Sequence, residues 1–257
     1  MKKGIITIVF GLIVGVLNAQ TSGLIKYKET IKMDLGKMEN MPEGIDLSKL
    51  LPESTSFNKE LYFDGQQSVY IDSKNNESSD VEYENEDGSV NIEFKIGGGH
   101  EEIYHTDLDS KLITHQTGFM GKEFVIEKSI DKPKWKLTGE KVKYLDYECH
   151  KAELLIPAES KSGEEKMIVA WFAPAIPIQL GPSSYNQLPG AILMISVDGG
   201  RHEIMATSVD LSMDTSNVIK LPKRGEKVTE KEYNDIIVEK KKEMKEMQVG
   251  NVIIIGN

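Results

Sequence analysis

Four prolines, Pro174, Pro177, Pro182 and Pro189, fall within one stretch, Trp171–Asp198, WFAPAIPIQLGPSSYNQLPGAILMISVD. Proline fixes φ and has no N–H to donate, so this stretch cannot run as a central strand of a sheet. Gly181 and Gly190 permit backbone conformations that a side chain would forbid. The expectation is a strand, a rigid crossover and a second strand. Ile176, Ile178, Tyr185 and Leu188 would be buried, and the crossover would cap one end of a curved sheet. A docking surface is its second possible role, since connecting segments carry function more often than core elements do.

The flanking sequence supplies the sheet. Ser22–Met33 alternates, with Ile25, Tyr27, Glu29 and Ile31 on one side and Lys26, Lys28, Thr30 and Lys32 on the other. Glu60–Phe63 and Gln67–Ile71 read as a hairpin about Asp64-Gly65. Further short strands are expected at Asn91–Ile96, Glu101–Thr106, Lys111–Gln116 and Phe119–Glu127. Others follow at Trp135–Leu137, Lys141–Tyr144, Asp146–Ile156 and Met167–Phe172. Arg201–Leu211 returns after a Gly199-Gly200 turn. Regular short strands with turn residues between them indicate an antiparallel meander. Met38–Ser56 reads as a surface connection with a helical fragment at Ile45–Leu51. Ser73–Ser89 is polar and reads as a mobile loop or long hairpin tip.

The pattern changes at Thr229. Thr229-Glu-Lys-Glu232 is a capping box. Tyr233, Ile236, Ile237, Lys240, Met244 and Met247 then recur at helical spacing, which predicts an amphipathic helix over Thr229–Gln248 that packs on the sheet. The tail Val249–Ile255 is apolar and β-branched and would suit an edge strand.

Residues 1–19 carry the pattern of an export signal: Lys2 and Lys3, an apolar run from Gly4 to Val16, and a small residue at Ala19. Cleavage there leaves a single domain, residues 20–257, and takes the formal charge from −10 to −12. So acidic a chain is a poor nucleic-acid binder. No later run is long and apolar enough for a membrane helix. The expected location is the periplasm or outer cell envelope. Cys149 is the one cysteine, so no intramolecular disulfide is possible.

Candidate chemistry is sparse. His100 and His105 have opposite parity on a strand, whereas an antiparallel hairpin would let His105 meet His115. Cys149 and His150 look like a nucleophile and its base, but adjacent strand residues point apart. Gly97-Gly98-Gly99 lacks the following helix of a phosphate loop. Met244 and Met247 would suit copper, but a methionine-rich core face is the better explanation of them. No catalytic residue, cofactor or metal ligand is assigned.

Around the crossover the chain resembles the GLPGLI family of exported proteins from Bacteroidetes-type bacteria. Trp171-Phe172 matches its aromatic strand and Ile176-Pro177-Ile178 its Ile-Pro-Ile step. Gly181-Pro182 is its Gly-Pro pair, Tyr185 its aromatic residue, and Gln187-Leu188-Pro189-Gly190-Ala191-Ile192 its hexapeptide. Gln187 and Ala191 stand where Gly and Leu are usual. Trp135–Thr138 and Tyr147–Ala152 are similar to the family's upstream segments. The resemblance implies location and fold but no enzyme activity.

The sequence therefore predicts a mainly β protein: a curved antiparallel meander sheet or half-open barrel with one C-terminal helix packed on it. The function it favours is a non-enzymatic binding module for an apolar ligand or an envelope protein partner. The candidate interaction surface is Trp171, Ile176, Pro177, Gly181, Pro182, Tyr185, Leu188, Pro189, Gly190 and Ile192. The alternatives are a hydrolase using acidic residues and a Met/His metal-binding protein.

Overall fold

The computed structural model describes residues 22–33, 51–74, 76, 79–84, 91–96, 101–131, 133–157 and 165–246. The proposed signal segment, the Ile45–Leu51 fragment up to residue 50, Gly97–His100, Met247 and the apolar tail lie outside them. In chain order the strands begin with β1 (Ser22–Lys32), β2 (Ser54–Asp64), β3 (Gln67–Asp72), β4 (Ser79–Glu84) and β5 (Asn91–Ile96). Next come β6 (Ile103–Asp107), β7 (Leu112–Phe119), β8 (Lys122–Ser129), β9 (Lys136–Tyr144) and β10 (Tyr147–Ile156). The last are β11 (Lys166–Ala173), β12 (Ala191–Val197), β13 (His202–Asp210) and β14 (Glu226–Thr229), followed by helix α1 (Glu230–Glu246).

Twelve strands form one open, curved sheet in the order β14-β8-β7-β6-β3-β2-β1-β13-β12-β11-β10-β9. Every neighbouring pair is antiparallel except β14 on β8. The sheet does not close on itself, in keeping with the expected curved sheet or half-open barrel. β4 and β5 form a separate two-stranded hairpin. The first strand sits at the centre, between β2 and β13, and so joins two meanders that are far apart in sequence.

Several boundaries differ from the sequence reading. β2 starts at Ser54, six residues before Glu60, because its first half is polar and half-exposed. Phe119 ends β7 instead of starting β8. Met120 and Gly121 form the turn, both with positive φ (50° and 79°), which suits the twist of a tight hairpin. Trp135–Leu137 and Lys141–Tyr144 are largely one strand, β9. Its pairing with β10 skips from Lys141 to Leu137 opposite His150 and Ala152, and Gly139 (φ 84°) lies in the bulge. This bulge interrupts the sheet's free edge, which discourages pairing with another chain.

One face of the sheet carries the principal core: Ile25, Tyr27, Leu61, Phe63, Ile168, Phe172, Ile195 and Ile204. The connection from Pro174 to Gly190 joins neighbouring antiparallel strands, β11 and β12. It lies across this core face and buries Ile176, Ile178, Leu180 and Leu188, each at 1% exposure or less. Each such side chain contributes about 2 kcal/mol of burial. Its own backbone bonds hold it: Gln187 N–H donates to Gln179 O at 2.7 Å and Ala191 N–H to Ile176 O at 3.0 Å. At Gly181 a Cβ would meet Tyr185 O at 2.6 Å, so the loop crosses itself where only glycine fits.

A second connection, residues 211–225, runs from the middle of the sheet to its β8 edge over the opposite face. Thr215 Oγ1 donates to Phe63 O (3.2 Å), and Arg224 N–H donates to Gln116 Oε1 (3.1 Å). Leu24, Val69 and Val125 are buried on that side.

Helix α1 begins as its capping box requires. Thr229 N–H donates to Glu232 Oε2 (2.7 Å), and Glu232 N–H donates to Thr229 Oγ1 (3.2 Å). Tyr233 sets the helix on the sheet, its ring edge-on to Phe124 with centroids 5.3 Å apart.

Candidate functional site

The strand pairings put Glu29 (β1), Lys59 (β2), Tyr70 and Asp72 (β3), Tyr104 (β6), His115 and Thr117 (β7) on the core face, with His202 (β13) at the far side. Glu102 precedes β6 and reaches the same face through its contacts with His115 and Thr117. They make a polar row across the face that carries the apolar core. Glu29 anchors one end. Its carboxylate meets His202 Nε2 at 2.7 Å and accepts the Tyr70 hydroxyl at 3.0 Å. Tyr70 stands edge-on to Tyr27, whose own hydroxyl donates to Ile192 O at 2.6 Å. Burial first, and Glu29 second, push the Tyr70 hydroxyl well above the usual phenol range, so it stays protonated and a donor.

Lys59 is 6% exposed and ion-pairs with Asp72 at 2.9 Å. Its ammonium also lies 5.9 Å from the centre of the Tyr70 ring. At the other end Glu102 accepts from Thr117 Oγ1 at 3.3 Å and lies 3.6 Å from His115 Nε2. That separation is too long for a hydrogen bond, and His115 Nε2 is buried without a hydrogen-bond partner. Burial pushes the Glu102 carboxyl up, but His115, Lys59 and Thr117 outweigh it and hold the group below the usual carboxylate value. The His115 ring stacks on Tyr104 at 3.9 Å and 9°. On the crossover, burial first, then Glu29 and Asp198, push the Tyr185 hydroxyl up to about 12. The crossover therefore forms one wall of the polar row.

The candidate surface read from the sequence divides by burial. Ile176, Gly181, Pro182, Leu188, Gly190 and Ile192 are buried, Trp171 and Tyr185 are half-buried, and Pro177 and Pro189 are exposed. His105 and His115 do not meet: His105 pairs with Thr114, His115 with Tyr104, and the two rings face opposite sides. His105 lines a shallow pocket of about 330 Å³ on the opposite face, with Asp107, Glu127 and Leu221. Among the described residues, no three His, Cys, Asp or Glu side chains are grouped to hold a metal ion.

Cys149 is fully buried, and burial pushes its thiol up to about 11. His150 turns instead to Glu148, 3.1 Å away. The native protein is expected to react with a thiol-specific disulfide reagent at neutral pH at least a hundredfold more slowly than the denatured chain, because both the thiolate and the access are missing. Labelling at comparable rates would show that Cys149 is reachable.

The sequence reading missed the polar row. A signal was present: Glu29 shares parity with Ile25 and Tyr27, and Lys59 with Leu61 and Phe63. A charge on the apolar side of a strand asks for a buried partner.

Residues 158–194, which span the crossover and its flanking strands, match the model of a family described as a protein of unknown function (Porph_ging). No curated protein matches. Two structures of PNGF-II, from different space groups, are similar in fold, with TM-scores of 0.53 and 0.52 at 15% identity. The likeness covers 85% of this chain but only 33% of PNGF-II, and so concerns the fold alone. The match to the family model falls on the proline-locked crossover, the element that fills the core face and walls the polar row.

Proposed function

We propose that the protein is an exported, non-enzymatic binding module, acting from Gln20 onward as one domain in the cell envelope. The polar row on its core face engages a protein partner or polar ligand. The observation that carries this reading is the pairing of groups that are still partly open to solvent: His202 with Glu29, and Glu102 with His115. Pre-formed pairs of this kind recognise hydrogen-bonding partners with little reordering. An apolar ligand fits less well, because the crossover's own Ile176, Ile178, Leu180 and Leu188 occupy the apolar part of this face. Of the crossover motif, Pro177, Pro189 and the half-buried Tyr185 and Trp171 remain for contact with a partner.

A hydrolase remains the second reading, favoured by the Glu29–His202 contact of 2.7 Å. A carboxylate that orients an imidazole is half of a general-base arrangement. Native mass spectrometry of the protein isolated from its own envelope separates the two. The expected result is a bound species that folded Glu102→Gln and His202→Gln variants retain at least tenfold less. Equal retention by both variants would remove the polar row from the proposal. Greater retention by His202→Gln than by the wild type would point to an unprocessed substrate and to catalysis.

A further inference from the structure

A second recess lies on the other face of the sheet, beside the strap of residues 211–225. Two rungs of the ladder make its floor. His105, Thr114 and Glu127 stand opposite one another in the first, and Gln67, Asp107 and Leu112 in the second. Ile219 and Leu221 of the strap complete a space of about 330 Å³, within the size of small-ligand pockets. The strap is pinned on either side of it. Thr215 bonds Phe63 O and takes the Ile219 N–H on its own carbonyl at 3.2 Å, while Arg224 N–H is held by Gln116. The recess is therefore part of the fold. Thr114 is 3% exposed and His105 6%, yet both border this space and not packed apolar core. We propose that the recess binds an alkylguanidinium group, its flat head on the polar floor and its stem against Leu112 and Leu221.

The lining is rich in acceptors: it holds two carboxylates and no Lys or Arg. Asp107 is fixed in place. Its Oδ2 accepts from Gln67 Nε2 at 3.0 Å, and its Oδ1 from the Asp109 and Ser110 N–H groups at 2.9 and 3.0 Å. A carboxylate has about four acceptor sites, so Asp107 keeps capacity for a further donor. Gln67 donates its NH₂ to Asp107 and keeps its carbonyl oxygen. Burial holds the His105 imidazole below its usual value, so it is neutral at neutral pH and does not repel a cation. Glu127 already attracts one: Lys227 Nζ of β14 lies 3.5 Å from it, at 76% exposure. So open a pair is weak, and a bound cation can displace it. The formal charge of −10 acts in the same sense and disfavours an anion. A guanidinium suits this floor better than an ammonium. Its five N–H donors lie in one plane and it is more weakly hydrated, which matches spread acceptors beside apolar side chains. Leu112 and Leu221, 39% and 48% exposed, give the stem its apolar rim.

This recess is separate from the core face, and its test leaves that face untouched. The probe is n-butylguanidinium, titrated into the full chain and followed by the amide chemical shifts of residues 105–114 and 219–221. Binding is expected with a Kd of about 1 mM, as suits so small a ligand. Butyrate and 1-pentanol should bind roughly tenfold more weakly, and n-butylammonium about threefold more weakly. Asp107→Asn, which keeps an oxygen for the turn, and Glu127→Gln are each expected to weaken binding about fivefold. Lys227→Gln removes the competing cation and should strengthen it about twofold. Unchanged shifts across β1, β12 and β13 show that each variant is folded. Acetyl-Gly-Arg-Gly-amide separates two sources of the group. Tighter binding than the butyl probe assigns the recess to an arginine side chain of a peptide, and weaker binding to a free guanidine. Three results overturn the inference: 1-pentanol or n-butylammonium binding as tightly as n-butylguanidinium, a Kd that neither carboxylate variant changes, or shifts that fall on Glu29, Glu102 and His202 and not on the recess.

Discussion

Gly190→Ala is expected to destabilise the protein by about 3–5 kcal/mol, enough to lower its midpoint in urea markedly. Gly190 sits at φ +154°, where a side chain is poorly tolerated. Space compounds the difficulty. A Cβ there would lie 2.4 Å from Ala173 O, 2.6 Å from Ala173 C and 2.8 Å from Pro174 Cα. All three are backbone atoms where the crossover leaves β11, while Gly190 is where it re-enters β12. The loop is pinched shut at this residue. Relief requires moving either the crossover, with its buried Ile176 and Leu188, or the Ala173–Ala191 pairing. Neither movement is local. Gly199→Ala is the comparison: its φ is +67°, but nothing lies within 4 Å of the added atom. It is expected to cost only the backbone strain, about 1 kcal/mol. Equal unfolding midpoints for the two variants would show that the crossover yields easily and is not the rigid element described.

The same contrast explains what could be read from the chain. Proline and glycine act within a few residues, so the crossover, the Asp64-Gly65 turn, the Gly199-Gly200 turn and the capping box at Thr229 were legible. Strand β4 was not, because Ser79–Glu84 has a composition that reads as loop, and among the described residues it pairs only with β5. Strand β14 escaped for a different reason: four residues carry no period, and its place beside β8 comes from the strap that delivers it. Strand order is a long-range property. Nothing near Ser22–Lys32 indicates that it pairs with both β2 and β13, nearly two hundred residues further on in the second case. The polar row depends on that order. Glu29 and His202 are neighbours only because β1 lies beside β13, so the candidate site was as hidden as the topology.

Glu29→Ala is expected to cost about 2–3 kcal/mol, the second-largest effect, and the form of the loss is more informative than its size. Glu29 has two partners with different needs. His202 is about a third exposed, so water can replace the lost carboxylate there and little stability depends on it. Tyr70 is 2% exposed, and its hydroxyl would be left without an acceptor. An unmet buried donor costs about 1–3 kcal/mol, whereas removing donor and acceptor together is nearly neutral. Tyr70→Phe alone is therefore expected to cost about 1 kcal/mol. The Glu29→Ala/Tyr70→Phe double variant should lose little more than Tyr70→Phe alone, and so be about 2 kcal/mol more stable than the sum of the two losses. Glu29→Gln should retain most of the stability, since its amide oxygen still accepts from Tyr70 and its NH₂ can face the imidazole. Urea unfolding of the four variants measures all of this in one cycle. Strict additivity would mean that Glu29 and Tyr70 do not act on each other. The polar row would then be a set of separate surface pairs, and the case for a pre-formed binding face would lose its central contact.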